Sequence, residues 1–280
     1  MFNTKVMRFR SQIMQVQSRA FSKHLKAFAT LDPKNLSTAN KGMNLVNGEW
    51  KGTENYITLP DPMTGKDMIQ IPDTNMAEAE EFITAMKEVP KHGLHNPFKN
   101  PERYLMLGAV CRKTAEVLHD PEVFDFFVDS VMRCVPKSRA QTEGEVRVTR
   151  NFFENFSGDQ VRFLAEAFRM PGDHGGQFTT GYRWPLGPVG VITPFNFPVE
   201  IPVLQMMGAL FMGNKPIVKS DSKATFPLEQ WIRMLHYCGL PKEDLDYINC
   251  EGPVMEKILV KGGSNMTLFT GSSKIGERLV

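Results

Sequence analysis

Four short polar segments near the end of the sequence each follow an apolar run that is predicted to be a β-strand. They are Thr193–Phe197, Lys219–Ser222, Asn249–Gly252 and Thr270–Ser272. Open parallel sheets bind ligands at the carboxyl ends of their strands. Three of the four segments carry glycines or hydrogen-bonding side chains suited to the phosphates and ribose of a dinucleotide. The sequence therefore predicts a dinucleotide site at this edge of a sheet.

Lys219 and Asn196 are the side chains with the clearest chemical uses in these segments. A lysine at a strand end can donate to ribose hydroxyls as a compact positive charge, although solvated lysines are common there. Asn196 stands between Pro194 and Pro198, and its amide could donate a hydrogen bond to a developing oxyanion. The alternative for Asn196 is an amide that bonds its own turn backbone.

The segment Gly271–Gly276 lies just past a predicted strand and opens a predicted helix. Backbone N–H groups at the helix start, together with the hydroxyl of Ser272, could bind a pyrophosphate. The spacing of the glycines matches neither G-x-G-x-x-G nor a P-loop. The alternative is an ordinary helix start with Ser272 as its N-cap.

Strands and helices alternate strictly after Gly187. Each predicted strand is short and apolar, which indicates an α/β fold with a parallel sheet covered by helices on both faces. The last helix begins near Ser273 and no strand follows it, so we expect this sheet to be incomplete at its C-terminal side. The predicted strands are Val189–Thr193, Pro216–Lys219, Asp246–Asn249 and Met266–Phe269, and the helices between them are Val199–Met212, Phe226–Cys238 and Val254–Val260.

The chain before Gly187 is predicted to be mainly helical, with a hairpin at each end. Leu45–Trp50 and Tyr56–Pro60 predict the first hairpin, with turn residues Asn47-Gly48. Pro171-Gly172-Asp173 should end the helical part, and Gly175–Trp184 is typical of a second hairpin. Apolar periodicity predicts helices over Met76–Met86, Pro101–Leu118, Glu122–Arg133 and Glu145–Phe168.

The composition disfavours several classes of protein. The 280 residues are 41% apolar, which is enough for a large core. The longest uncharged apolar run, Ile201–Gly213, has 13 residues, whereas a bilayer requires roughly 20. The four cysteines form no Cys-x-x-Cys pair, so we expect reduced and mostly buried thiols. His92 and His95 have no third ligand spaced nearby, which disfavours a metal site.

The first 31 residues contain six lysines and arginines and no acidic residue. With serine, glutamine and spaced Met and Phe, this composition is typical of a mitochondrial transit peptide, which we predict over residues 1–21, cut after Phe21. A basic tail or a nucleic-acid-binding arm is the alternative. Loss of residues 1–21 removes four positive charges and changes the net charge from +2 to −2, so nothing then indicates nucleic acid binding. Residues 22–42 are predicted to be a polar linker, and the mitochondrial matrix is the expected location.

Three segments resemble motifs of the aldehyde dehydrogenase superfamily. Thr193-Pro-Phe-Asn-Phe-Pro198 is similar to the motif whose asparagine forms the oxyanion hole, Lys219 to the ribose-binding lysine, and Phe269-Thr-Gly-Ser272 to the phosphate-contacting loop. The resemblance extends over about residues 40–280. More specific stretches resemble the 1-pyrroline-5-carboxylate dehydrogenases of plants and protists: Gly93–Phe98, Asn155–Gln160, Met234–Pro241 and Val199–Pro216.

The resemblance implies a Rossmann-like doubly wound parallel sheet and NAD as the cofactor. The NAD-binding domain would cover residues 43–280, with a helical part in 75–170 and the β-α units in 187–280. Ser222 stands where the family usually has a glutamate that repels a 2′-phosphate, so NADP is not excluded. The residues implied to contact the cofactor are Thr193, Pro194, Phe195, Lys219, Ser222, Gly252, Gly271, Ser272 and Gly276.

The reaction implied by the resemblance is the oxidation of glutamate γ-semialdehyde to glutamate in proline catabolism, with Asn196 in the oxyanion hole. The family's nucleophilic cysteine and its glutamate base correspond to positions beyond Val280. None of the four cysteines lies in a Gly-Gln-x-Cys setting. We therefore expect the cofactor half of an enzyme that acts on a small aldehyde and is a homo-oligomer when full-length. The alternative is a non-catalytic nucleotide-binding or partner subunit of a full-length paralogue.

Overall fold

The computed structural model describes residues 22–96 and 99–279. Its helices are α1 (Lys23–Phe28), α2 (Met76–Lys87), α3 (Glu102–Leu118), α4 (Pro121–Cys134), α5 (Arg139–Asn155), α6 (Glu200–Phe211), α7 (Thr225–Cys238), α8 (Gly252–Gly262) and α9 (Ser273–Leu279). Its strands are β1 (Asn44–Val46), β2 (Glu49–Lys51), β3 (Tyr56–Pro60), β4 (Asp67–Pro72), β5 (Phe168–Pro171), β6 (Phe178–Gly181), β7 (Pro188–Ile192), β8 (Lys215–Lys219), β9 (Asp246–Tyr247) and β10 (Met266–Phe269).

The main sheet contains six strands in the order β10-β7-β8-β9-β1-β2. The first four of these are parallel, whereas β1 pairs antiparallel with both β9 and β2. The chain runs outward from β7 through β8 to β9 and then returns to β10 on the other side of β7. The strand order therefore reverses between β7 and β10, as in a Rossmann-like doubly wound sheet. The predicted alternation after Gly187 is confirmed, except that β9 ends at Tyr247 rather than Asn249.

Consecutive residues of β7 and of β8 enter opposite hydrophobic clusters, because side chains alternate across a sheet. Val191 and Val218 belong to the large cluster that includes residues of α3 to α7. Ile192 and Ile217 belong to a second cluster, with residues of α2 and α8. Helices therefore cover both faces of the sheet, as predicted.

The predicted polar linker 22–42 begins with a helix that packs into the core. Ser22 caps α1 by accepting the Leu25 N–H at 3.4 Å. Leu25 and Phe28 are buried against the large cluster, and Phe28 stacks on Phe127 at 6.1 Å between ring centroids. The linker description therefore does not fit residues 23–28, because they form a helix whose Leu25 and Phe28 side chains are buried.

The first predicted hairpin is correct for one strand pair and wrong for the other. Strands β1 and β2 turn at Asn47-Gly48, as expected from those residues. Tyr56–Pro60, however, pairs with the unpredicted strand Asp67–Pro72 and forms a separate two-stranded sheet. The prediction paired Tyr56–Pro60 with the nearest preceding strand, but strand pairing also depends on partners that the local pattern does not reveal.

The prediction of one long helix over Glu145–Phe168 is wrong. Helix α5 begins at Arg139 with a Ser138–Gln141 capping box and ends at Asn155. Gly158 then adopts a left-handed backbone (φ 64°), and its N–H donates to the Gly108 carbonyl of α3 at 3.0 Å. A 3₁₀ helix covers 160–165. The second hairpin pairs β5 with β6, so its first strand lies before the predicted Gly175–Trp184 segment and only its second strand lies within it. The contact with α3 ends the helix where apolar periodicity alone continues.

The four cysteines agree with the expectation of reduced and buried thiols. Cys111, Cys134, Cys238 and Cys250 are all free and buried. Within residues 22–96 and 99–279, no helix is both long and apolar enough to cross a bilayer.

A buried histidine, His95, and a half-buried one, His236, couple the stability of this fold to pH. Nδ1 of His95 accepts the Arg103 Nε–H at 3.3 Å, while its Nε2 has no partner among the described residues. Burial, and then the charge of Arg103, lowers the pKa of His95 from 6.5 to about 4. Burial likewise lowers the pKa of His236 to about 4, with smaller effects from Lys242 and Arg233.

The free energy of unfolding should fall as the pH decreases from about 6.5 towards about 4. In that window the unfolded chain binds protons at both histidines and the folded chain does not, so acid favours unfolding. Above the window both states are neutral and the full contribution is present. Urea midpoints at pH 7 and pH 5 measure the difference, which should shrink in His236→Leu and His95→Gln. An unchanged difference in both variants would contradict the assignment.

Candidate functional site

The reversal of strand order between β7 and β10 brings three predicted segments to one edge of the sheet. The Thr193 N–H donates to the Lys219 carbonyl at 3.1 Å, and the Thr270 N–H donates to the Ile192 carbonyl at 3.0 Å. Thr193 and Thr270 therefore directly follow β7 and β10, and Lys219 is the last residue of the adjacent parallel strand β8. Ligands of open α/β sheets bind in the crevice at such a point.

Lys219 presents a half-buried ammonium group at this edge. Its Nζ donates to the Ser220 carbonyl at 3.2 Å and forms no ion pair within the described part of the chain. Ser222 opens a short 3₁₀ helix that Asp221 caps by accepting the Lys223 N–H at 3.0 Å. The ammonium is thus positioned to donate to an added ligand, as the ribose hypothesis requires.

The loop that carries Asn196 projects from the end of β7. Phe195 and Phe197 are 50% and 38% exposed, whereas Thr193 at the base of the loop is buried. The side chain of Asn196 makes no hydrogen bond within the described residues, so its amide is not used to close its own turn. The hydroxyl of Thr193 is buried and also lacks a partner among the described residues.

An ion pair that sequence reasoning missed lies beneath the Asn196 loop. Glu145 Oε1 accepts the N–H groups of Val199 and Glu200 at 2.9 and 3.3 Å. Its Oε2 binds Lys137 Nζ at 2.9 Å, and that ammonium lies 3.7 Å from the centroid of the Phe197 ring. Burial and the charge of Glu145 raise the pKa of Glu200. No sequence motif links residues 137 and 145 to the loop, because the contact is between distant parts of the chain.

The loop Gly271–Gly276 lies close against the end of β10. A Cβ at Gly271 would lie 2.5 Å from the Phe269 ring, so any other residue at this position would require that ring to move. The Ser272 carbonyl accepts the N–H groups of Ile275 and Gly276 at the start of α9. Ser272 therefore occupies the N-cap position of α9, although its hydroxyl makes no hydrogen bond within the described residues.

The segment Asn249–Gly252 divides between structural and accessible residues. The Asn249 amide binds the Asn44 carboxamide at 3.1 Å and its backbone N–H donates to the same group, so Asn249 is committed to the fold. Gly252 is the first residue of α8, and open space surrounds the position of a Cβ there. Gln205 of α6 also reaches this edge and donates to the Thr270 hydroxyl at 2.6 Å, a contact without a sequence signal.

None of the four cysteines is an activated nucleophile. Burial raises the pKa of Cys111 and Cys250 to about 12 and that of Cys238 to about 11. Burial also raises the pKa of Cys134. A thiol requires the thiolate form to attack a carbonyl, so these side chains are inert near neutral pH.

The chain is similar to proteins of one known family over most of its length. The family model described as the aldehyde dehydrogenase family matches residues 50–280. Delta-1-pyrroline-5-carboxylate dehydrogenase 12A1, mitochondrial, from Arabidopsis thaliana is 52% identical over 258 residues, which cover 91% of this chain and 46% of that protein. A probable aldehyde dehydrogenase of Linum usitatissimum is 52% identical over 94% of this chain and 48% of its own. The chain spans about half the length of the curated relatives it matches.

Solved structures support the fold. Methylmalonate-semialdehyde dehydrogenase from Oceanimonas doudoroffii superposes with a TM-score of 0.74 at 21% identity, over 86% of this chain and 47% of that one. An NAD-dependent benzaldehyde dehydrogenase from Corynebacterium glutamicum gives 0.69 at 18% identity, over 90% of this chain and 52% of its own. The predicted α/β fold is thereby confirmed.

Proposed function

The chain belongs to the aldehyde dehydrogenase family, and on that premise we propose that it binds NAD as part of an enzyme that oxidises glutamate γ-semialdehyde to glutamate. The 52% identity to a protein named as a 1-pyrroline-5-carboxylate dehydrogenase supports the substrate. 1-Pyrroline-5-carboxylate is the cyclised form of glutamate γ-semialdehyde. The homo-oligomeric state implied by the resemblance stays a prediction.

The meeting of Lys219, Thr193 and the Gly271–Ser272 loop at the reversal of strand order is the observation that supports cofactor binding most directly. Among the described residues, the Lys219 ammonium has no carboxylate partner and the Thr193 hydroxyl has no hydrogen bond, so both groups are available to the ribose and phosphate groups of a dinucleotide. In this proposal Lys219 holds the ribose, and the backbone around Gly252 and Gly271 approaches the rest of the cofactor. Bound NAD supplies the nicotinamide ring that accepts hydride.

Asn196 is proposed to stabilise charge on the aldehyde oxygen. Its exposed amide has no hydrogen bond within the described residues, so it can donate to an oxygen that becomes negative during nucleophilic attack. The attacking thiolate is proposed to come from outside residues 1–280, because all four cysteines here are buried thiols of raised pKa. Lys137 contacts the Phe197 ring, and Glu145 accepts hydrogen bonds from the backbone just after the loop.

Replacing Lys219 with methionine should weaken NAD binding roughly 10- to 100-fold. The variant keeps the apolar stem but loses a charged hydrogen-bond donor, whose contribution is about 1.5–3 kcal/mol. Isothermal titration of the purified chain measures the dissociation constant. Lys87→Met is the matched control, since Lys87 is an exposed lysine in the last turn of α2. Equal affinities in both variants would refute the proposed nucleotide site.

The same titration with NADP tests the consequence of Ser222. A serine neither accepts strongly from both ribose hydroxyls nor repels a 2′-phosphate, so NAD should be preferred by only about tenfold, or about 1.4 kcal/mol. A preference near a thousandfold would require another residue to recognise the 2′ position.

Import into the mitochondrial matrix, with cleavage after Phe21, is proposed from the basic opening segment. The predicted transit peptide, residues 1–21, lies outside the described residues. The described fold begins at Ser22, whose hydroxyl caps α1, so the proposed cut would leave that cap intact. N-terminal sequencing of protein purified from mitochondria should begin at Ser22. An intact Met1 would contradict the proposal.

A further inference from the structure

Glu145 is buried and its partner Lys137 is half-buried, which is costly unless each charge is compensated. The side chain of Glu145 is 0% exposed and that of Lys137 is 14% exposed. A carboxylate removed from water needs both an opposite charge and hydrogen-bond donors on its oxygens. Lys137 supplies the charge at 2.9 Å, so the second oxygen is left for other donors.

The second oxygen of Glu145 binds the start of α6. The first N–H groups of a helix have no partner within the helix, and a negative charge near them is favoured. Val199, the N-cap residue of α6, provides no side-chain cap. Glu145 accepts the N–H of Val199 at 2.9 Å and that of Glu200 at 3.3 Å. A residue of α5 therefore caps the helix that follows the Asn196 loop.

Lys137 contacts the loop itself. Its ammonium lies 3.7 Å from the centroid of the Phe197 ring, a cation–π distance. The ion pair therefore binds both Phe197 and Val199, the first and third residues after Asn196. Because the Asn196 side chain has no hydrogen bond of its own among the described residues, these neighbouring contacts set its position.

We propose that Lys137 and Glu145 are positioning residues that hold the Asn196 loop in place for the reaction. The inference rests on the proposed function, in which Asn196 donates to the developing oxyanion. Electrostatic stabilisation of this kind requires a donor that is already oriented. Displacement of the loop by about 1 Å would be expected to cost up to a hundredfold in rate.

Local amide exchange in the 280-residue chain tests the proposal. In Glu145→Ala, the Val199 and Glu200 amides should exchange at least tenfold faster by NMR, and the Asn196 side-chain NH₂ resonances should shift. Amides of α7 should change less than twofold. Glu143→Gln is the matched control on α5, because the half-exposed Glu143 pairs with Arg139 of the same helix and with no other cation in the described part of the chain. That control should match the wild type at all of these positions.

Glu145→Gln separates the cap from the ion pair and keeps the test usable if Glu145→Ala does not fold. The amide oxygen can still accept from α6, so exchange at Val199 should stay within threefold of wild type. Lys137 loses its partner, so the Asn196 NH₂ resonances should still shift. Unchanged Asn196 resonances, or equal acceleration in α6 and α7, would overturn the positioning role. Failure of the wild-type chain to bind NAD in a separate titration would instead overturn the proposed function.

Discussion

No aldehyde-dependent NADH formation is expected from the purified 280-residue chain, whichever semialdehyde is supplied. The reaction proposed for the family enzyme begins with a thiolate that attacks the aldehyde carbon. Cys111, Cys134, Cys238 and Cys250 are buried, and burial raises the pKa of each thiol. Absorbance at 340 nm with glutamate γ-semialdehyde and NAD measures the rate.

Binding of NAD by the same preparation is the control, because it shows that inactivity does not result from unfolding. Each of the four cysteines is replaced by alanine in turn. Turnover by the wild-type chain that one such replacement abolishes would show that the nucleophile has been misplaced. An effect of the inactive chain on the rate of a full-length paralogue would instead favour a partner subunit.

Trp231→Ala should lower the free energy of unfolding by about 3–5 kcal/mol. Trp231 is 0% exposed in α7, and its ring lies 4.6 Å from Phe127 and 6.1 Å from Phe153 between centroids. Truncation would leave a cavity where α4, α5 and α7 meet. The loss combines the transfer free energy of the side chain with the cost of that cavity. Urea denaturation followed by circular dichroism measures it.

Two variants calibrate the result. Trp184→Ala removes the same side chain from a position that is 44% exposed, and should cost less than about 1 kcal/mol. Trp231→Phe keeps an aromatic ring and breaks no hydrogen bond seen in the described residues, since the indole N–H has no partner there. Its cost should lie between the other two. Equal losses for Trp184→Ala and Trp231→Ala would contradict the assignment of the core.

Local sequence determined the β-α units after Gly187 and the position of each polar segment within them. Short apolar strands, helical periodicity and turn residues depend on a few neighbouring positions, so they can be recognised in a single sequence. Lys219 and Asn196 were predicted as site residues for the same reason, since Lys219 ends one strand and Asn196 lies in the loop after another. The roles of these residues in cofactor binding and catalysis came from the resemblance to a family, because residue spacing alone left those roles open.

Tertiary structure decided which strands are neighbours and which contacts hold the site. The local sequence does not predict that β10 lies beside β7, and this strand order is what brings Thr270 next to Thr193. Two sequence-based predictions were wrong: the pairing partner of β3 and the continuation of α5 past Asn155. The Asp67–Pro72 pairing and the Gly108–Gly158 contact join parts of the chain that no local pattern relates. The Glu145 cap on α6 spans 54 residues, a distance at which only the packing of two helices selects the partner.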